Sequence, residues 1–242
     1  MADVLVLSAH PDDAELGAGG TIAKLTNEGK HVVLVDCTAG ELGTRGTPEL
    51  RTAEANAAAK ALGVTERVIL SMPDGRIADT LENRLEVIRM YRAYTPTLVL
   101  TSPSYERHPD HEAVHKLARA AAFLAGLRHV TTEHNGAKQD PHRPKRILCY
   151  EHRYALPGGP DLYVDVTDTW NEKINSVKAY GSQFHVPETY SSNEPETFLS
   201  RPVFLTELES RARYYGTQLG VTYAEAFKAV EPIVVNSLSV FL

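Results

Sequence analysis

The sequence predicts an α/β fold with a doubly wound, mostly parallel sheet of strand order 3-2-1-4-5 and helices on both faces. Two observations carry this. Apolar runs of strand length alternate with helical patterns four times between Val4 and Leu124, which indicates parallel strands joined by right-handed crossovers. Two clusters of chemistry-bearing residues, His10-Pro11-Asp12-Asp13 and His108-Pro109-Asp110-His111, follow the first and fourth of those strands. In a sheet of that order these strands are neighbours, the order reverses between them, and ligands bind at their carboxyl ends.

The elements follow in order. Val4 to Ser8 is a short apolar run and reads as a buried strand. The HPDD loop comes next, and Gly17, Gly19 and Gly20 are expected to turn the backbone before a helix from about Thr21 to Asn27, closed by Gly29. His31 to Cys37 forms the second strand. A glycine-bearing loop, Thr38 to Thr47, leads to Pro48, a good first-turn residue for an alanine-rich helix reaching Leu62. Arg67 to Leu70 is the third strand, and Ser71 to Gly75 carries turn chemistry. A helix from Leu81 to Tyr94 presents Leu81, Leu85 and Ile88 on one face and stops before Pro96. Thr97 to Thr101 is the fourth strand, followed by the HPDH cluster and a helix from Asp110 to Leu124. Beyond a polar stretch, Ile147 to Tyr150 and Leu162 to Val166 read as further strands, Thr169 to Tyr180 and Thr206 to Thr217 as helices.

A length of 242 residues suits a single domain spanning 1–242. A net charge of -6 argues against nucleic-acid or anionic-membrane partners. Cys37 and Cys149, both in apolar runs, read as buried thiols. Few cysteines and no signal peptide lead us to expect a cytoplasmic protein, and no apolar run reaches the ~20 residues of a membrane span.

If the two clusters meet, His10, Asp13 and His111 offer two nitrogens and one oxygen, a donor set suited to a catalytic zinc with an open position. Asp12 stands beside a ligand, where a general base could take a proton from water. His108 could stabilise an oxyanion or donate a proton to a leaving amine, and Asp110 could orient His108 and keep it charged. Singly, Asp110 could be a helix cap and Asp12 a turn residue. His31, His129, His134, His142 and His152 read as surface or loop residues.

The residues also carry a resemblance. Ala9-His10-Pro11-Asp12-Asp13-Ala14-Glu15-Leu16-Gly17 resembles the first signature of the LmbE-like, or PIG-L, deacetylases, and Arg107-His108-Pro109-Asp110-His111 resembles the second. It continues through Gly19 to Ala23, Thr38 to Glu41, Pro73-Asp74-Gly75 and Lys178 to Phe184. This resemblance implies a Rossmann-like fold and a metal-dependent enzyme, often with zinc; iron or manganese could be loaded in the cell, since availability influences loading. It implies His10, Asp13 and His111 as ligands, Asp12 as base, and His108 with Asp110 as an electrophilic pair. It further implies that Arg51 binds substrate oxygens and that Tyr190 assists the oxyanion. The last segment and the chain length resemble the bacillithiol-pathway branch, so the implied substrate is an acetamido sugar, N-acetylglucosaminyl malate. The apolar end Val240-Phe241-Leu242, with oligomers in the family, leads us to expect a homo-oligomer.

Rival readings stand beside this one. His111-Glu112-Ala113-Val114-His115 matches HExxH, with Glu112 as base of a metallopeptidase, but leaves the first cluster without a role. A two-histidine, one-carboxylate iron oxygenase leaves Asp12 unexplained. A non-catalytic sugar-binding α/β module is the remaining alternative. A dinucleotide role has little support, because the first strand is not followed by G-x-G-x-x-G. Arg45 is a second candidate for substrate contact, on a loop expected to be exposed.

Overall fold

The computed structural model describes residues 1–187, 193–237 and 239. The first half of the chain runs β1 (Val4–Ser8), α1 (Asp13–Asn27), β2 (Val32–Asp36), α2 (Pro48–Ala61), β3 (Glu66–Ile69), α3 (Leu81–Tyr94), β4 (Leu98–Thr101) and α4 (Pro109–Ala125). The second half adds a small hairpin, β5 (Glu133–His134) and β6 (Ala137–Lys138), then β7 (Arg146–Tyr150), β8 (Leu162–Asp165), α5 (Trp170–Lys178), α6 (Phe204–Leu219) and β9 (Ala224–Ala229). Local chemistry explains several boundaries. The Thr47 and Thr80 hydroxyls accept N–H bonds from Leu50 and Asn83 and cap α2 and α3.

Among the described residues the main sheet has the order β3-β2-β1-β4-β7-β9-β8. The first five strands are parallel, and β9 and β8 join antiparallel. The expected order therefore holds through its fifth strand, here β7, and the sheet continues with two more. Side chains alternate across it. Leu5, Leu7, Val33, Val35 and Val99 pack against α3 and α4 on one face. Val4, Val6, Val32, Leu34 and Leu100 pack with Ala14, Ala18 and Ile22 of α1 on the other. Because β1 pairs with both β2 and β4, the crevice at the strand reversal opens where the first cluster leaves β1.

Two readings need correction. Helix α1 begins at Asp13, not near Thr21, so Gly17, Gly19 and Gly20 lie inside it. They are there for close approach. A Cβ on Gly17 would sit 2.1 Å from the Tyr150 ring, and one on Gly20 would sit 2.6 Å from Val166 Cβ. Strand β9 was not anticipated, because Ala-Glu-Ala-Phe-Lys-Ala has helix-forming composition. Its Glu225 is buried, accepting the N–H groups of Gly20 and Thr21 and pairing with Lys173 Nζ at 2.5 Å. That tertiary bond overrides the local preference. No helix among the described residues is long and apolar enough to cross a membrane.

Candidate active site

The clusters meet as the topology requires. The loop after β1 brings His10, Asp12 and Asp13 to the crevice, and the loop after β4 with the first turn of α4 brings His108, Asp110 and His111. Asp13 links the two. Its Oδ2 accepts the His10 backbone N–H at 2.9 Å and lies 3.4 Å from His10 Nδ1, while its Oδ1 lies 3.1 Å from His111 Nε2. Burial opposes ionisation of Asp13, but His111, His10 and His152 around it hold the carboxyl well below its usual range.

Asp12 has φ 119°, in the left-handed region that a residue with a Cβ adopts only when its surroundings impose it. The imposing contact is Arg51, whose guanidinium donates to the Pro11 carbonyl, the Gly40 carbonyl and Asp12 Oδ2, the last at 2.9 Å. Burial raises the Asp12 pKa, the Arg51 cation lowers it, and the balance pushes it up to about 7. A carboxyl poised there can take a proton at neutral pH. Arg51 is buried and lines the cavity. Most of its donors are committed to the protein, so it positions Asp12 whatever it does for substrate.

The pairing of His108 with Asp110 takes a different form from the one expected. His108 Nδ1 accepts the Asp110 backbone N–H at 3.3 Å, capping α4. The Asp110 carboxylate instead accepts N–H bonds from Gly75 and Ile77 and lies 3.3 Å from His10 Nε2. Asp74 Oδ1 meets the same nitrogen at 3.0 Å. Both carboxylates therefore orient His10. Burial, then the neighbouring His10 and His111, lower the His108 pKa, with Asp13 and Asp110 acting the other way; the net direction runs against the charged ring expected. A neutral ring whose Nδ1 accepts carries its proton on Nε2 and remains a hydrogen-bond donor.

The HExxH reading fails on geometry. His115 Nδ1 lies 3.2 Å from the Ser102 carbonyl and 3.3 Å from Cys149 Sγ, and Glu112 accepts the Glu106 backbone N–H. Arg45 is buried, donating to the Ser182, Glu194 and Pro195 carbonyls; the glycine-bearing loop around it is thus pinned to the segment after α5. Tyr190 lies outside the described residues, as does the apolar end Val240-Phe241-Leu242.

His152, expected to be a surface or loop residue, is instead drawn into the site. It follows β7, the strand beside β4, and its Nε2 lies 3.2 Å from Asp13 Oδ1. The available signal was its place at the carboxyl end of a predicted strand adjoining the crevice. Glu106 was also missed, as no residue pattern marks a buried carboxylate held by backbone amides.

His10, Asp12, Asp13, His108, His111 and His152 line a cavity of about 300 Å³. Donor atoms of Asp13, His111 and His152 lie within 4.8 Å of one another, as do those of His10, His108 and His111. His111 Nδ1 and His152 Nε2 are buried without a hydrogen-bond partner. Nitrogen and carboxylate donors gathered in a buried site, with ring lone pairs or protons unanswered, fit a divalent cation.

The PIG-L family model, described as GlcNAc-PI de-N-acetylase, matches residues 5–122. Diacetylchitobiose deacetylase of Thermococcus kodakarensis is 33% identical, covering 95% of this chain and 84% of that one. A probable N-acetyl-α-D-glucosaminyl L-malate deacetylase 2 of Bacillus cereus is 27% identical, over 74% of this chain and 83% of that one. The crystal structure of a conserved protein from Thermus thermophilus superimposes with TM-score 0.82 at 36% identity, covering 97% of each chain. The fold and the two clusters define a deacetylase-type α/β protein. The chain belongs to the LmbE-like, PIG-L family of deacetylases.

Proposed function

We propose that this protein is a metal-dependent N-deacetylase that removes acetate from an N-acetylglucosamine derivative, N-acetylglucosaminyl malate first among the candidates. The observation that carries the reading is Asp12: buried, strained and ion-paired to Arg51, beside a His/Asp donor set. Such a cation, zinc or in the cell iron or manganese, supplies positive charge that polarises an amide carbonyl and makes a water more acidic. His10, Asp13 and His111 would hold it. Asp74 and Asp110 fix the His10 ring through Nε2. Asp12 takes the proton of the attacking water. His108 Nε2–H donates a hydrogen bond to the developing oxyanion, its neutrality at rest costs no desolvated charge, and the proton that Asp12 has taken passes to the departing amine. Tyr190 completes this list as a proposed oxyanion partner.

The malyl group is supported by the arginines of the cavity wall, Arg51, Arg107, Arg153 and Arg211, which share it with Asp12, Asp13, Asp74 and Glu207. Arg153 is answered by Glu207 and Arg211 by Glu151, while among the described residues Arg107 has no ion-pair partner. A substrate with two carboxylates suits such a wall. The relative named diacetylchitobiose deacetylase gives the competing aglycone, a second neutral sugar. The two free, buried cysteines support a reducing, cytoplasmic compartment; a homo-oligomer also belongs to this proposal.

The test is to incubate the metal-loaded protein with N-acetylglucosaminyl malate, diacetylchitobiose and N-acetylglucosamine and to assay free amine. Turnover is expected on the first, with kcat/KM at least about ten-fold above the neutral substrates, consistent with one charge-assisted hydrogen bond. Preference for diacetylchitobiose moves the aglycone to a second sugar. Binding without amine release from any substrate favours the non-catalytic module.

A further inference from the structure

We infer that His152 is a further protein ligand of the metal, joined to Asp13 and His111 and oriented from behind by Glu106. The inference rests on the metal-dependent reading above and extends its ligand set to a third strand end. β1 leads to His10 and Asp13, β4 to His108 and His111, and β7, adjacent to β4 in the sheet, leads to His152.

The geometry is specific. Asp13 Oδ1 is approached by two imidazole nitrogens, His111 Nε2 at 3.1 Å and His152 Nε2 at 3.2 Å. Ligand bonds of ~2.0–2.1 Å in a tetrahedral arrangement place neighbouring donor atoms about 3.3 Å apart. The two rings meet edge to face with centroids 4.6 Å apart, so their nitrogens reach the carboxylate from different directions. His152 Nε2 is buried and, although close to Asp13 Oδ1, makes no well-aligned hydrogen bond. A buried polar atom whose hydrogen bonding is incomplete is costly unless a ligand answers it.

The other ring nitrogen faces Glu106, with Nδ1 3.9 Å from Oε2. The Glu106 carboxylate is fully buried and does not move freely. It accepts the backbone N–H groups of Arg107 at 2.6 Å, Arg153 at 2.6 Å and Tyr154 at 2.9 Å. Two of those donors follow His152 directly in the chain. The carboxylate thus ties the loop after β4 to the loop after β7 and faces a histidine whose far nitrogen points at Asp13. A carboxylate behind a ligating histidine fixes its tautomer and raises its basicity. His152 forms no other ion pair among the described residues that would explain this arrangement.

The experiment measures metal binding directly. Wild type, His152→Ala, Glu106→Gln and Asp13→Ala are stripped with chelator and titrated with Zn²⁺ against a chromophoric competitor. Co²⁺ is then loaded and its visible absorption recorded. Circular dichroism of the stripped proteins checks that each is folded. His152→Ala is expected to weaken zinc by about 100-fold and to change the intensity and position of the cobalt bands. Glu106→Gln, which preserves shape, is expected to cost about 10–100-fold with the band pattern largely kept. Wild-type zinc affinity and an unchanged cobalt spectrum in His152→Ala overturn the inference while leaving the deacetylase reading intact. A wild-type chain that takes up neither metal overturns both.

Discussion

At the residue scale the account turns on Asp12, whose ionisation is set by two opposing neighbours. Burial in the crevice resists its charge, and the Arg51 cation 2.9 Å away favours it. The base must be ionised to act, so kcat/KM should rise with pH through the Asp12 pKa. Replacing Arg51 by Gln removes the charge that lowers that pKa. The acidic limb of the pH–rate profile should then move to higher pH, while metal content stays as in wild type. An unmoved limb would mean that Arg51 acts on substrate alone. The sequence exposed Asp12, Asp13 and both His clusters, because adjacent carboxylates and imidazoles after strand ends are rare without chemistry. It did not expose what each carboxylate faces. Asp110 was expected to serve His108, yet its side chain bonds Gly75, Ile77 and His10. That choice depends on the loop after β3 folding over α4, which no local pattern records. His108 was expected to be charged for the same reason, and burial beside two other histidines lowers its pKa instead.

At the element scale the informative case is α1. Three glycines in four positions read as a turn, since glycine weakens a helix by ~1 kcal/mol relative to alanine. The helix nevertheless starts at Asp13, because Gly17 and Gly20 admit Tyr150 and Val166 at distances no Cβ permits, and Gly19 lies tight against Lys173. Starting there matters for the site, as it places the Asp13 carboxylate on the first turn and Asp12 at the strained residue before it. Gly17→Ala should drive a methyl into the fully buried Tyr150 ring. Overpacking of this kind costs about 1–3 kcal/mol. For a chain of this size the melting temperature should fall by about 2–4 °C per kcal/mol. A variant as stable as wild type would show that Tyr150 can retreat and that the close approach is not required. The strands were legible from their apolar runs, with β9 the exception. There a buried Glu225 is stabilised by Lys173 and two helix N–H groups that lie some two hundred residues away in sequence.

At the scale of the molecule, three parallel strands deliver the site. β1, β4 and β7 are neighbours in space although about a hundred and forty residues of chain separate the first from the last. Alternating strand and helix patterns were enough to place the first two clusters together. They were not enough to bring in β7, whose histidine stood alone in sequence and read as a loop residue. A cation bound by groups from all three strand ends should stabilise the folded state, because the unfolded chain does not hold those groups together. At a free metal concentration of 100 Kd the gain is about 2.7 kcal/mol. Stripping the metal should therefore lower the melting temperature by about 5–10 °C, and adding it back should restore it. No change on chelation would argue against a metal held between the strands.

The central claim is that Asp12 is the base of a metal-dependent deacetylation, and one comparison tests it most directly. Wild type and Asp12→Asn are brought to equal metal content, verified by elemental analysis, and acetate release from N-acetylglucosaminyl malate and diacetylchitobiose is measured for both. Asparagine keeps the shape and a hydrogen-bond acceptor for Arg51 but cannot take a proton. The predicted result is full metal occupancy with turnover lower by roughly 10²–10⁴-fold. Asp12→Asn with full metal occupancy and wild-type turnover would contradict the account.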